Sequence, residues 1–171
     1  VVGNPAVPPT LTVLTSMFLH ANLMHLGGNM LYLWIFGNNI EDTMGHGRFI
    51  VFYVLCGAAA MFGHAVTAPE STVPMIGASG AISGVLGAYL LLFPRARVLV
   101  LIPLGFFTRL VHVPAVVVLG FWIVMQVING VFSWGGLGGG VAWFAHIGGF
   151  AVGLALIKVF QRRPIAPALR W

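Results

Sequence analysis

The chain has 171 residues, of which 59% are hydrophobic and only 6% are charged, with a mean hydropathy of +1.00. Soluble domains carry roughly 25% charged residues, so this composition excludes an ordinary water-soluble fold and indicates a polytopic membrane protein, since lipid needs no polar cover. The net charge of +5 comes without the basic and aromatic pattern of nucleic-acid binding, so nucleic acid is not an expected partner. The charge is interpreted as a signal that orients the protein in the lipid bilayer.

Five segments approach the roughly 20 apolar residues that are needed to cross the hydrocarbon core. In chain order they are residues 23–40, 49–66, 73–93, 113–132 and 141–160. They predict an all-α, polytopic transmembrane helical bundle. A sixth apolar stretch, residues 98–107, is too short to span and is broken by proline and glycine, so an interfacial segment is expected there.

Residues 1–22 precede the first of these spans. They are rich in proline and contain neither a signal-peptide n-region nor a span. We therefore expect the chain to begin inside a longer protein, with residues 1–22 forming part of a loop on the outer side of the membrane.

The basic residues predict the orientation, because short cytoplasmic loops are enriched in lysine and arginine. All eight fall in alternate gaps between the spans, and so on one side of the membrane: Arg48, Arg95, Arg97, Arg109, Lys158, Arg162, Arg163 and Arg170. That side is expected to be cytoplasmic, with residues 161–171 as a basic cytoplasmic tail. Residues 67–72 and 133–140 then lie on the opposite face.

Polar side chains recur near the outer ends of three spans that run inward from that face. Ser79 opens the third span and His146 the fifth, while His25 and Asn29 lie four residues apart on one helical face of the first. Polar groups at membrane depth are costly unless they line a cavity. A serine hydroxyl becomes a nucleophile when a base takes its proton, and histidine is a common base. The pattern predicts a membrane-embedded serine hydrolase.

Small residues at four-residue spacing follow both candidate catalytic residues. Gly80 and Gly84 come after Ser79, and Gly149 and Gly153 come after His146. Such spacing lets membrane helices touch backbone to backbone, which a short serine side chain needs in order to reach a neighbouring histidine. Helix association alone would explain these glycines equally well.

Three separated motifs resemble the rhomboid family of intramembrane serine proteases. They are residues 20–29 (HANLMHLGGN), 77–80 (GASG) and 145–153 (AHIGGFAVG), and the resemblance extends over about residues 14–160. Three motifs in order, each on its expected helix, are far more specific than any one alone. The resemblance implies a rhomboid-like transmembrane catalytic domain over residues 23–160, with five spans of an expected six-span core.

The resemblance also implies roles for individual residues. Ser79 is the expected nucleophile and His146 its general base; His25 and Asn29, with the backbone N–H of Ser79, are expected to bind the oxyanion. His20 resembles a histidine that organises the preceding loop. Glycines of the motifs are expected to have structural roles beside the site: Gly77, Gly80, Gly149 and Gly153. The expected activity is cleavage of transmembrane or juxtamembrane peptide bonds in membrane proteins, with no metal ion or cofactor.

Several features limit or refine this expectation. No acidic partner for His146 is evident, so a Ser-His dyad is predicted, with Glu70 as a weak candidate for orienting the base. Ser83 stands where some family members place an aromatic residue that packs on the histidine.

Substrate is expected to enter past the fourth span, with the side carrying Trp122 and Gln126 as the gate. His64 is interpreted as a helix-end anchor.

Two other functions remain open from the sequence. One is a catalytically silent rhomboid-like protein that binds membrane clients. The other is a haem or metal protein that uses pairs among His20, His25, His64 and His146. The predicted location is the plasma (inner) membrane, as an integral multi-pass protein whose active site opens to the non-cytoplasmic face.

Overall fold

The structure, a computed structural model, describes residues 8–69, 74–105, 107–133 and 141–162. It is dominated by helices that surround one central helix. In chain order the elements are α1 (Pro9–Thr15), a 3₁₀ turn (Ser16–Phe18), α2 (Leu23–Tyr32), a π-helical segment (Leu33–Gly37), α3 (Asn38–Met44), α4 (His46–Thr67), α5 (Ser79–Leu92), β1 (Arg97–Leu104), β2 (Phe107–Pro114), α6 (Ala115–Ser133) and α7 (Trp143–Phe160).

Helices occupy all five segments that the apolar runs predict, and the helical membrane bundle is confirmed. Within the described residues, three helices are long and apolar enough to cross a membrane, namely α4, α6 and α7. The third predicted span forms α5, which has only 14 residues. The first predicted span is divided between α2, the π-helical segment and α3. Hydropathy therefore located the helices well, whereas it does not fix how many of them span.

α5 is the core of the bundle. Every residue from 81 to 89 is buried, and the helix packs against α4, α6 and α7. A helix enclosed by protein needs no polar face, which is why its sequence is apolar all round.

Glycines make the contact between α5 and α7 unusually close. A Cβ added to Gly153 would overlap the backbone of Gly84, and one added to Gly149 would overlap the carbonyl oxygen of Gly80. One turn deeper, a Cβ on Gly87 would overlap the carbonyl oxygen of Phe150. The predicted small-residue spacing thus corresponds to direct backbone contact between these two helices.

A β-hairpin connects α5 to α6, where the sequence predicted an interfacial segment and named no strand. β1 and β2 are antiparallel, with Arg97 opposite Pro114 and Leu104 opposite Phe107, and Gly105 in the turn has a φ of 62°. Apolar and β-branched residues such as those of this stretch favour extended strands. A window that scores only total hydropathy does not register that preference.

Basic residues meet at one end of the bundle. Arg48, at the start of α4, donates from Nη1 to the carbonyl oxygens of Val159 and Phe160 at the end of α7. The backbone N–H of Arg162 donates to the carbonyl oxygen of Thr43, at 2.9 Å. The positive end of the bundle therefore lies opposite the end where α5 and α7 begin.

Candidate active site

Ser79 is the first residue of α5, and the chain bends tightly at Gly77, just before this helix begins. Gly77 has a φ of 113°, which side chains with a Cβ rarely adopt. A Cβ there would also lie 2.6 Å from Cε1 of His25. The N–H of Gly77 donates to the carbonyl oxygen of Ser16 at 2.9 Å, and this hydrogen bond holds the bend against the 3₁₀ turn. Glycine is required at position 77 by both conformation and space.

The Ser79 hydroxyl meets the imidazole of His146. His146 lies in the first turn of α7, and its Nε2 is 2.8 Å from Oγ of Ser79. The close α5–α7 backbone contact brings this short side chain within hydrogen-bonding distance. A hydroxyl that donates to an unprotonated ring nitrogen is the arrangement in which histidine can act as a general base.

The other ring nitrogen of His146 contacts a residue from α6. Nδ1 is 2.7 Å from Oε1 of Gln126, whose side chain is only 6% exposed. The ring of Trp122, one turn earlier on α6, lies 5.9 Å from the imidazole between centroids. Sequence reasoning assigned this side of the helix to a substrate gate, but the structure directs Gln126 inward. The available signal was an amide side chain at membrane depth, although Asn129 gives the same signal in this helix.

His25 and Asn29 face the same region from α2. Asn22 caps this helix, with its side chain accepting from the His25 backbone N–H at 2.8 Å. The Ala21 N–H donates to Nδ1 of His25 at 3.4 Å, which leaves the ring proton on Nε2, 2.7 Å from the position a Gly77 Cβ would take. Nδ2 of Asn29 is a buried donor with no hydrogen-bond partner among the described residues.

Two further predicted residues lie beside this cluster. The ring of His20 meets that of His25 edge-on, at 5.1 Å between centroids and an interplanar angle of 71°. The hydroxyl of Ser83 donates to the Ser79 carbonyl oxygen at 2.6 Å and its side chain is buried. Ser83 therefore continues the helix below the site and does not reach the imidazole.

A cavity of about 520 Å³ opens beside these groups. Ser79, His146 and His25 lie in its wall, together with α4 residues that include Met61 and His64. A mainly apolar cleft with a few converging polar groups is typical of a binding or catalytic site. Sequence reasoning treated His64 as a helix-end anchor because no motif surrounds it; only the fold brings α4 to this cavity.

Some predicted features lie outside the described residues. Glu70 is one of them, as are residues 134–140 of the segment predicted on the outer face and the predicted tail from residue 163. Within the part of the chain that the structure describes, no group of three or more His, Cys, Asp or Glu side chains could hold a metal ion.

The fold and the site together define a helical integral membrane protein with a partly buried serine–histidine pair. The Rhomboid domain family model matches residues 9–163, which is nearly the whole chain. The chain belongs to the rhomboid family, which includes serine proteases.

Relatives from distant organisms match most of the chain. The mitochondrial Rhomboid protein 1 of Saccharomyces cerevisiae is 30% identical, over 96% of this chain and 48% of its own length. The Rhomboid protease GluP of Bacillus subtilis is 34% identical, over 92% of this chain and 29% of its own. The human mitochondrial presenilin-associated rhomboid-like protein is 34% identical, over 56% of this chain and 26% of its own. The chain thus spans half or less of the length of these relatives.

Proposed function

We propose that this chain is an intramembrane serine endopeptidase that uses a Ser79–His146 dyad. The observation that carries the proposal is the 2.8 Å contact between Oγ of Ser79 and Nε2 of His146. Both residues lie in the first turn of an apolar helix and share one cavity. A contact of this kind is the geometric signature of an activated nucleophile, and rhomboid relatives include a protein named as a protease.

The proposed reaction begins when Oγ of Ser79 attacks a peptide carbonyl carbon as Nε2 of His146 takes the hydroxyl proton. The carbonyl oxygen becomes an oxyanion, for which the Asn29 amide, the His25 Nε2–H and the Ser79 backbone N–H are the proposed donors. Such donors stabilise the charge that develops in the transition state. Two observations support these roles: Nδ2 of Asn29 has no hydrogen-bond partner among the described residues, and the ring proton of His25 lies on Nε2.

The intermediate collapses when the C–N bond breaks and His146 gives its proton to the leaving amine, leaving an acyl-serine. A water molecule then attacks that ester, with Nε2 of His146 again taking a proton, and Ser79 recovers its hydrogen as the new carboxyl product leaves. Two steps replace one difficult step, as in other serine hydrolases. No metal ion or organic cofactor takes part in this proposed scheme.

The proposed substrates are transmembrane proteins cut within or beside a span. A helical peptide bond is shielded by the helix, so a substrate segment must unwind before Ser79 reaches its carbonyl. Unwinding breaks backbone hydrogen bonds of the substrate helix, which is costly in lipid. Small or helix-breaking residues near the cleaved bond should therefore be favoured. The cavity beside Ser79 offers an unwound segment a few polar groups, among them His25, His64 and His146, within mainly apolar walls.

The proposed placement follows from the basic end of the bundle. With Arg48 and Arg162 at the cytoplasmic end, the site opens to the non-cytoplasmic face. Residues 23–160 form the proposed catalytic domain, residues 1–22 part of an outer loop and residues 161–171 a basic cytoplasmic tail. The protein is an integral membrane protein; the plasma (inner) membrane is its proposed location, although two of the relatives are named as mitochondrial.

The proposal is tested by cleavage of a transmembrane substrate panel in proteoliposomes, with the cut bonds identified by mass spectrometry. Wild-type protein should cut near small residues at the outer end of the substrate span, and Ser79→Ala and His146→Ala should not. Ser133→Ala, which changes a serine bonded to its own helix, should cut like wild type. A folded wild-type protein that binds the panel without cutting it would instead support the client-binding function.

A further inference from the structure

We propose that Gln126 and Trp122 of α6 are positioning residues for the histidine base, with Gln126 holding the His146 ring by accepting a hydrogen bond from Nδ1–H. This inference rests on the proposed function for its catalytic meaning. Its structural content is independent of that function, because it concerns which ring nitrogen carries the proton.

The hydrogen bonds around His146 run in one direction. Nε2 of Gln126 is 3.4 Å from the carbonyl oxygen of Trp122, which can only accept, so the amide NH₂ group faces Trp122 and Oε1 faces the imidazole. Oε1 can only accept, so Nδ1 of His146 carries the ring proton. Nε2 is then unprotonated and accepts from Ser79, 2.8 Å away. The orientation of one glutamine amide thus selects the tautomer that catalysis needs.

An amide suits this location better than the carboxylate that completes the Ser-His-Asp triad of soluble serine proteases. Gln126 is 6% exposed and lies within an apolar, membrane-length helix, where an ionised group would carry a large desolvation cost. The amide provides an acceptor to both the neutral and the protonated ring without adding a charge. It orients the base as a triad carboxylate does, with weaker stabilisation of the imidazolium.

Trp122 supplies the second contact. It lies four residues before Gln126, on the same face of α6, and its ring is tilted by 36° to the imidazole. The ring of Phe150 on α7 lies 6.0 Å from that of Trp122, at an interplanar angle of 32°. Ser83 is short and bonded to the Ser79 carbonyl, and the aromatic rings against His146 are Trp122 of α6 and, edge-on at 6.5 Å between centroids, Trp143 of α7.

The test compares Gln126→Met with Gln126→Glu, because methionine keeps the length of the side chain but removes the strong acceptor. Glutamate keeps an acceptor for Nδ1 whether or not it is ionised. Asn129→Leu is the matched control, since the Asn129 amide on the same helix donates to the carbonyl oxygen of Met125 in its own helix. Trp122→Leu tests the ring contact.

Kinetics in proteoliposomes should separate positioning from substrate binding. For Gln126→Met we expect kcat to fall about 10- to 100-fold, as for loss of a hydrogen bond to a group that becomes charged, with KM unchanged. Gln126→Glu should restore most of kcat, and Asn129→Leu should match wild type. Trp122→Leu should lower kcat about 2- to 10-fold. A Gln126→Met enzyme with wild-type kcat, or a Gln126→Glu enzyme as slow as it, would overturn the assignment.

A second measurement decides the positioning even if no cleavage is found. In ¹⁵N-histidine NMR spectra, with His146 assigned by its loss in His146→Ala, wild type should show a protonated Nδ1 and an unprotonated Nε2. Gln126→Met should shift the ring toward the Nε2–H tautomer. A wild-type ring protonated on Nε2, or a spectrum that Gln126→Met leaves unchanged, would refute the hydrogen bond. Absence of both cleavage and serine labelling in a wild type with the expected spectrum would refute the proposed function alone.

Discussion

The contact between Gly153 and Gly84 predicts a specific cost for adding one methyl group to α7. In Gly153→Ala the new Cβ would overlap the Gly84 backbone, which cannot rotate away as a side chain would. Overpacking of this kind typically costs about 1–3 kcal/mol. Relieving it by moving α7 outward takes about 1 Å, and a misplacement of that size in a catalytic site costs about 100-fold in rate. Both stability and cleavage should therefore fall.

Gly120→Ala is the matched control for this substitution. Gly120 is also a helical glycine, on α6, but a Cβ there would meet nothing within 4 Å. Both variants gain the same helix propensity, about 1 kcal/mol, so their difference isolates the overlap. At roughly 2–4 °C per kcal/mol, Gly153→Ala should melt about 2–12 °C below Gly120→Ala in detergent thermal scans. Equal melting temperatures and equal cleavage rates would refute the close-contact account of the bundle.

Other substitutions test the groups around Ser79. Asn29→Ala should lower kcat about 100- to 1,000-fold by removing one oxyanion donor, while the exposed Asn38→Ala stays at the wild-type rate in the same cleavage assay; an Asn29→Ala enzyme of normal kcat would exclude that role. Gly77→Ala and Gly45→Ala each place a Cβ on a residue with positive φ, which costs about 1–3 kcal/mol of stability. Only the Cβ of Gly77→Ala would also overlap the His25 ring. Gly77→Ala should therefore melt lower and cut more slowly than Gly45→Ala. Equal melting temperatures and equal cleavage rates for the two variants would contradict the close packing of His25 against Gly77.

Much of the helical arrangement was predictable because the constraints on it are local. Apolar length predicted where α4, α6 and α7 lie, since a membrane helix must satisfy its backbone internally. Four-residue spacing of glycines predicted which faces touch. Ser79 and His146 could be paired from the sequence because each opens a span of the same direction, and the structure brings their side chains together.

The features that the sequence left unpredicted depend on contacts between distant segments. Gln126 carries no motif, and nothing in α6 alone shows that its amide lies against His146. His64 reaches the cavity only because α4 packs beside α5. The hairpin of residues 97–114 was missed for a local reason, because total hydropathy does not distinguish a strand from an interfacial helix.

Covalent labelling by a fluorophosphonate probe tests the central claim most directly, because the probe reacts with a serine only when a base has activated it. The measurement compares wild type with Ser79→Ala, His146→Ala and the control Ser133→Ala, all reconstituted in liposomes. The account predicts labelling of wild type and Ser133→Ala, and none of the other two. An unlabelled but folded wild type, or labelling that persists in Ser79→Ala, would contradict it.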